Sequence, residues 1–467
     1  MRAPVKAADD NSTKMTATMD DVSLRREVFR LTWPVVLQGS FRTIFFISDT
    51  AMLGHYSNAA LATIGISGPL MHTLIVFLSA LSVGTVAIVS RAVGERDEAK
   101  ARRDGATALS SAGALGALGA LLSWLLVPLF VSLFPVERGE IAAGATDYLR
   151  IVGCFLPVVT LELVAASILR AAGNTRAPMI AAAFANALNI ALNALLIFGL
   201  RIGPVQFPEL GVSGAALATG LAYMAEVLLL FAFLFSKRSP LRFSAREVFA
   251  FQWESLRKLA RVSLPAAFEP IVVQSGFLVM AWMVTKLGEE SLAAHRAAIS
   301  IESLSFMPGF GFSLACAALV GQRLGAGSPD EASRAMKETA KLSVLIMSGI
   351  GLLFLLAPKL LMRLSTTDAA IIEVGAAALM IGALEQPTMA VGFVLQGLLR
   401  GAGDTKSPLL VAFIGVWLVR VPLGYFLAVT CGWGLAGIWW TTVVDWGVRA
   451  LVLWVIYRRG VWRRIVL

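Results

Sequence analysis

Long apolar runs separated by short polar turns dominate the pattern of this chain. Runs of about 20 residues or more, enough to cross a bilayer as a helix, fall near 28–52, 60–88, 104–130, 147–169, 177–200, 211–235, 259–285, 292–321, 337–357, 371–397, 408–430 and 434–457. The pattern predicts an all-α membrane protein with twelve transmembrane helices, six to each half. Residues 1–23 are polar and read as a disordered tail. No short apolar stretch with a small-residue cleavage site precedes the first run, so the first span is expected to direct its own insertion. The predicted units are lobes at 24–236 and 258–458, a linker at 237–257 and a tail at 459–467.

The two halves repeat. Residues 168–178 read Ile-Leu-Arg-Ala-Ala-Gly-Asn-Thr-Arg-Ala-Pro and residues 398–408 read Leu-Leu-Arg-Gly-Ala-Gly-Asp-Thr-Lys-Ser-Pro, so Arg170 and Arg400 lie 230 positions apart in one element. A Gly, an Asn or Asp and a Pro stop a helix and turn the chain there. Val89 to Gly94 aligns with Val320 to Gly325, and Pro34 with Pro265, both at an offset of 231. An even number of spans per repeat returns the chain to its starting side. The halves are therefore expected to be related by an approximate two-fold along the membrane normal, with a cleft between them.

Composition agrees with this reading and narrows it. Hydrophobic residues make up 57% and charged residues 15% of the 467, too apolar a balance for a water-soluble domain of this length. The net charge of +10 does not point to nucleic acid, because the basic residues lie in short loops rather than on one soluble face. About thirty of the forty Lys and Arg fall on the side holding both termini, which assigns that side to the cytoplasm. In the linker, Lys237, Arg238, Arg242 and Arg246 are interleaved with Phe243, Phe249, Phe251 and Trp253, as in an interfacial segment. Cys154, Cys316 and Cys431 have no metal or redox spacing and read as small core residues.

Ionisable residues inside the spans need a reason, since a carboxylate at a span's centre costs roughly 2.5 to 3.5 kcal/mol. Those here are Asp49, Glu162, Glu226, Glu269, Glu302, Glu385 and Asp445, with Arg42 and Arg420 as basic partners. Asp49 stands out. It lies about 24 Å along span one from Trp33, and Asn193 lies about 25 Å along span five from Arg176, so the two share a depth. Asn186, Asn189 and Asn193 occupy one face of span five. An acid beside an amide stripe can exchange a proton or hold a cation; it can equally be a structural hydrogen bond between packed helices. Glu162 is expected to pair with Arg170, and Asp445 or Glu226 with Arg42, Arg420 or Arg449.

The stretch Asp49-Thr50-Ala51-Met52-Leu53-Gly54-His55, fifteen residues after Pro34, together with the two Leu-Arg-x-x-Gly-(Asn/Asp)-Thr turns, resembles the multidrug and toxic compound extrusion (MATE) family, over about residues 24 to 458. The resemblance implies a V-shaped pair of six-helix bundles of the MATE/MOP type. It also implies a secondary antiporter that expels amphipathic, often cationic compounds in exchange for H+ or Na+. Asp49 matches the first-span aspartate that the DinF-like branch uses for coupling. Asn189 and Asn193 fall on that branch's fifth-span polar positions, with Asn193 standing where many members carry Asp. Other branches place acids in spans seven and ten, near Val273 and Met389. This chain has Glu269 and Glu385 one turn earlier, and these two, with Asn186, Gln274 and Met389, are the expected substrate-cavity residues.

At the repeat position of Asp49 stands Met280, so the acid is not duplicated. Pro34 and Pro265 each remove a backbone hydrogen bond in the first span of a half and are the expected hinges. The expected protein is a monomeric drug exporter of a bacterial inner membrane, with small amphipathic or cationic drug-like substrates and the lipid bilayer as partners, no nucleic acid, and no cofactor or metal beyond the coupling ion. Two other classes compete: a flippase for lipid or lipid-linked oligosaccharide, whose cleft would be cationic, and an integral-membrane enzyme, for which no HExxH, GxSxG or clustered His/Asp is found.

Overall fold

The computed structural model describes residues 21–132, 139–199, 208–236 and 252–467, with a few positions in the 201–206 and 241–247 segments. Twelve helical spans follow one another: α1 (Asp21–Tyr56), α2 (Asn58–Gly94), α3 (Glu98–Ser132), α4 (Glu140–Cys154 and Leu156–Ala171), α5 (Arg176–Phe198), α6 (Gly211–Phe235), α7 (Trp253–Thr285), α8 (Glu289–Gly325), α9 (Pro329–Leu356), α10 (Ala369–Ala402), α11 (Lys406–Thr430) and α12 (Gly434–Arg459). The sheet content among the described residues is one antiparallel pair, Arg201–Ile202 with Val205–Gln206. Residues 21–23, expected in a disordered tail, already belong to α1; residues 1–20 lie outside the described residues. So does most of the 237–251 stretch, but Leu241 and Phe243 are described. Both are buried in the core of the first half, where the sequence had placed an interfacial segment.

Nine of these helices are long and apolar enough to cross a membrane, and α4 makes ten once its two arms, bent by 48°, are taken as one span. The bend falls at Phe155, just before Pro157, a residue without the N–H that would carry the hydrogen-bond ladder across. The two remaining helices, α1 and α12, contain Arg42 with Asp49 and Asp445 with Arg449. Their packing takes Asp49, Asp445 and Arg449 out of the surface, and all three are buried. In α11 the ladder widens into π-helical turns at Ile414–Arg420 and Tyr425–Thr430 on either side of Pro422. Such turns keep carbonyls satisfied around a proline and rotate the side chains that follow. Cys316 is buried as expected, whereas Cys154 and Cys431 are exposed.

The two halves meet through α1, α2, α7 and α8: α2 packs on α7 and α8, and α1 packs on α8. Two of their close backbone approaches are symmetric. A Cβ on Gly94 would lie 2.0 Å from the carbonyl oxygen of Gln322, and one on Gly325 would lie 2.1 Å from that of Arg91. Gly94 and Gly325, like Arg91 and Gln322, are 231 positions apart, so each half offers a bare backbone to the same element of the other. Nearby, Arg323 pairs with Glu27 at 2.6 Å, Arg25 pairs with Glu338 at 2.8 Å, and Gln322 Nε2 donates to the Ala171 carbonyl at 2.7 Å. All these contacts lie toward the basic end, where α2 and α8 terminate. The halves are thus sealed at that end.

Candidate functional site

The site is assembled from α1, α5 and α6. Ala181, Ala182 and Ala185 on α5 are buried small residues that let neighbouring helices come close. Packing of α1 and α6 against α5 then brings Asp49 to the asparagine face. Asn193 Nδ2 donates to Asp49 Oδ1 and also to Asn189 Oδ1, the latter at 3.1 Å. Thr219 Oγ1, from α6, donates to Asp49 Oδ2 at 3.0 Å. All four side chains are buried. No Lys or Arg bonds to this carboxyl among the described residues, so its two oxygens are held by neutral donors. Two further polar atoms, Asn193 Oδ1 and Asn189 Nδ2, are buried beside it without a hydrogen-bond partner among the described residues. Unpaired buried groups are costly, and their presence around one acid marks a centre whose hydrogen bonds can rearrange.

Thr219 is the residue that sequence reading missed. A lone threonine in an apolar span carries no signal of its own, and only the packing of α6 on α5 fixes its depth. Asn186 does not join the cluster: its Nδ2 bonds the Ala182 carbonyl of its own helix at 3.3 Å, and its Oδ1 is unpaired.

The other intramembrane charges are distributed differently from what was expected. Glu162 pairs with Arg42 at 2.6 Å rather than with Arg170, and Glu226 lies beside it. Arg170 instead donates to Gln38 at 3.1 Å and Ser167 at 2.9 Å. In the second half Arg400 donates to both carboxyl oxygens of Glu269, at 2.7 and 2.8 Å. Gln38 and Glu269 are 231 positions apart, so the two turn arginines clamp the same place in the first span of each half, one helical turn beyond the proline. Glu269 is therefore locked in an ion pair and does not stand free at a cleft. Met389 is buried with Met347, Phe393 and Trp446 in the core of the second half and lines no cleft either. Glu385 is wholly buried; its oxygens find no donor among the described residues and face another carboxyl, Glu302 of α8. Gln274 of α7 is exposed. Asp445 accepts from Arg420 at 2.7 Å and Arg449 at 2.6 Å, a closed triad. His295 packs edge-on against Trp439.

Comparison with known proteins decides the family. A profile of the MatE family matches the chain twice, over residues 34–195 and 265–426. The chain belongs to the MATE transporter family. The two matched stretches begin on Pro34 and Pro265, the equivalent prolines of the repeat. The probable multidrug resistance protein NorM of Thermotoga maritima is 32% identical over 444 residues, covering 94% of each chain. An uncharacterized transporter, YisQ of Bacillus subtilis, is 27% identical, covering 96% of this chain and 97% of its own. Among solved structures, a multidrug resistance MATE transporter of the MOP superfamily in an outward-facing conformation superposes with a TM-score of 0.86 at 23% identity, over 96% of this chain and 100% of that one. A MOP-superfamily transporter from Pyrococcus furiosus gives 0.86 at 22%, with the same coverage. This MATE protein is thus a twelve-helix integral membrane transporter and not an enzyme. Among its described residues no cluster of three or more His, Cys, Asp or Glu is placed to hold a metal ion.

Proposed function

We propose that this MATE protein is a secondary active multidrug exporter that expels amphipathic, often cationic compounds in exchange for H+, with Na+ as the alternative coupling ion. The observation that carries the reading is the Asp49 carboxyl, buried in the first lobe and held by Asn193 and Thr219 without a basic partner among the described residues. An acid locked to arginine keeps its charge through a transport cycle; one held by neutral donors can take up a cation at modest cost. The named relatives, probable multidrug resistance proteins, support the substrate class and give no support to a lipid flippase.

Proton uptake at Asp49 converts an acceptor oxygen into a donor. Asn193 Oδ1, unpaired on the side chain already bonded to Asp49, is an acceptor for it once the amide turns over, and the contact between α1 and α5 is remade. A sodium ion would instead gather the oxygens of Asp49, Asn189, Asn193 and Thr219, a donor set suited to a hard cation. Either event changes how α1 rests on α5. Pro34, inside α1, and Pro265, inside α7, are the proposed hinges through which that change opens one end and closes the other. Substrate is assigned to the space between the lobes, with Asn186 and Gln274 as its candidate contacts. The basic end is assigned to the cytoplasmic face of a bacterial plasma membrane, with both termini there and the chain acting as a monomer.

The test is efflux or counterflow of a cationic dye in proteoliposomes under an imposed pH or sodium gradient, comparing the parent with Asp49→Asn. The variant should insert and melt normally yet lose gradient-driven exchange. Undiminished exchange by the variant would end the assignment of Asp49.

A further inference from the structure

At the basic end, the first turns of α9, the last turn of α12 and the 3-10 turn Val461–Arg464 enclose an open groove of about 1030 Å³. Its ionic lining consists of one acid, Asp330, and six bases, Arg334, Lys337, Arg458, Arg459, Arg463 and Arg464. The acid is already engaged by Arg463 at 3.1 Å. Among the described residues, Lys337, Arg458, Arg459 and Arg464 have no acidic partner. Like charges gathered in one groove repel, and the cluster holds a standing attraction for an anion.

The fold builds this cluster deliberately. Gly460, at φ 71°, reverses the chain after α12 so that the two following arginines return toward α9. Trp462 is buried beneath them; its Nε1 donates to the Tyr457 carbonyl at 3.0 Å and its ring stacks on Tyr457. The Tyr457 hydroxyl is hydrogen-bonded to Ser333 of α9 at 2.6 Å. Farther on, Arg91 of the first lobe donates to the Ile465 carbonyl at 2.7 Å. The basic turn is therefore fixed against both lobes.

We propose that this groove binds the phosphate headgroup of an anionic diacyl phospholipid from the adjoining leaflet. A free phosphate shares the headgroup's chemistry, but the helix faces below the groove favour the lipid. On α12, Leu451, Trp454, Val455 and Arg458 fall at i, i+3, i+4 and i+7, one face on which the exposure of Leu451 (59%) and Trp454 (46%) continues the groove downward. On α9, Arg334, Lys337, Lys341, which is paired with Glu338, and Leu345 form a second such stripe, and Leu345 is 70% exposed. Each wall thus runs from bases through an interfacial position to apolar surface, the profile of a headgroup with its acyl chains below. Arg458 lies over the Trp454 ring at 5.2 Å, with its charge held at the boundary between the two zones. The proposal is independent of which ion drives transport.

Native mass spectrometry of the full chain, titrated with phosphatidylglycerol or phosphatidylcholine, tests it. Phosphatidylglycerol should bind about tenfold or more tightly than phosphatidylcholine. The triple variant Arg458→Gln, Arg459→Gln, Arg464→Gln should bring the two lipids level, while the same three positions changed to Lys should keep the preference and show that the fold is sound. Leu345→Ser with Leu451→Ser should lower phosphatidylglycerol retention several-fold, and millimolar inorganic phosphate should not displace the lipid. Equal phosphatidylglycerol binding by a normally melting Gln variant overturns the proposal. So does full displacement by inorganic phosphate, which would make the groove a site for a soluble anion.

Discussion

At the same place in its first span, one lobe answers the turn arginine with an amide and the other with an acid: Arg170 meets Gln38, and Arg400 meets Glu269. One lobe has Asp49 where the other has Met280, a residue buried in an apolar core. The second lobe's remaining aspartate in this region, Asp445, is closed off by Arg420 and Arg449. A single helical plan thus carries two charge distributions. In the first lobe Asp49 is left to neutral donors while Glu162 is paired with Arg42; in the second, Glu269 and Asp445 are neutralised by guanidinium groups while Glu385 and Glu302 face each other away from any arginine bond among the described residues. The physical lesson is that an arginine contact fixes a carboxylate's charge and makes it structural, while amide and hydroxyl contacts leave it able to exchange a cation.

The contrast can be broken most forcefully at Asp445 and Asp49. Asp445→Ala would leave Arg420 and Arg449 buried without their counter-charge, costing about 3–5 kcal/mol. The expected outcome is a steep drop in melting temperature and in the yield of folded protein. Asp49→Ala, which orphans two neutral donors and no buried charge, should cost less, about 1–3 kcal/mol, while removing gradient-driven transport. If both variants behave alike, the two lobes do not divide structure from coupling in this way.

A smaller effect is expected at the arginine clamps. Glu269→Ala strips Arg400 of its main partner but leaves it the contact with Gln396 and some access to solvent, and should cost about 3 kcal/mol, the low end of that range. Glu269→Gln, which copies the first lobe's clamp into the second, should cost no more than about 1–2 kcal/mol, because a charged hydrogen bond is replaced by one to an amide. Thermal denaturation in detergent distinguishes the two. Equal losses would mean that the pair's charge, rather than its geometry, is what the second lobe needs.

The lobes should act alike where their backbones meet. Gly94→Leu and Gly325→Leu each place a side chain against an opposing carbonyl and should prise open the basic end to similar degrees. Labelling of a cysteine introduced at Ala318, which is buried against Val86 between α2 and α8, would report the opening, and a large difference between the variants would show that the two-fold is only approximate there. The smallest effect is assigned to Thr219→Val, which removes one of the donors to Asp49 for about 1 kcal/mol and should slow exchange a few-fold without changing the fold.

Much of this was legible from the chain alone. Hydrophobic run length sets the number of helices, because each run must satisfy its own backbone within lipid. The 231-residue offset that relates Pro34 to Pro265 and Gly94 to Gly325 gives the two-fold before any coordinates. Helical depth was enough to place Asp49 level with Asn193, because rise per residue is nearly constant.

Azimuth was not legible, since a span's sequence does not say which neighbour each face meets. For that reason Glu162 was assigned to Arg170 rather than Arg42, Met389 was assigned to a cleft rather than a core, and Thr219 went unnoticed. The sequence by itself determined the helical membrane fold, its duplication and the acid worth watching. Only the tertiary structure decided which carboxyls are held by guanidinium and which by neutral groups, because that depends on helix rotation and packing across the bundle, neither of which is a property of any one helix.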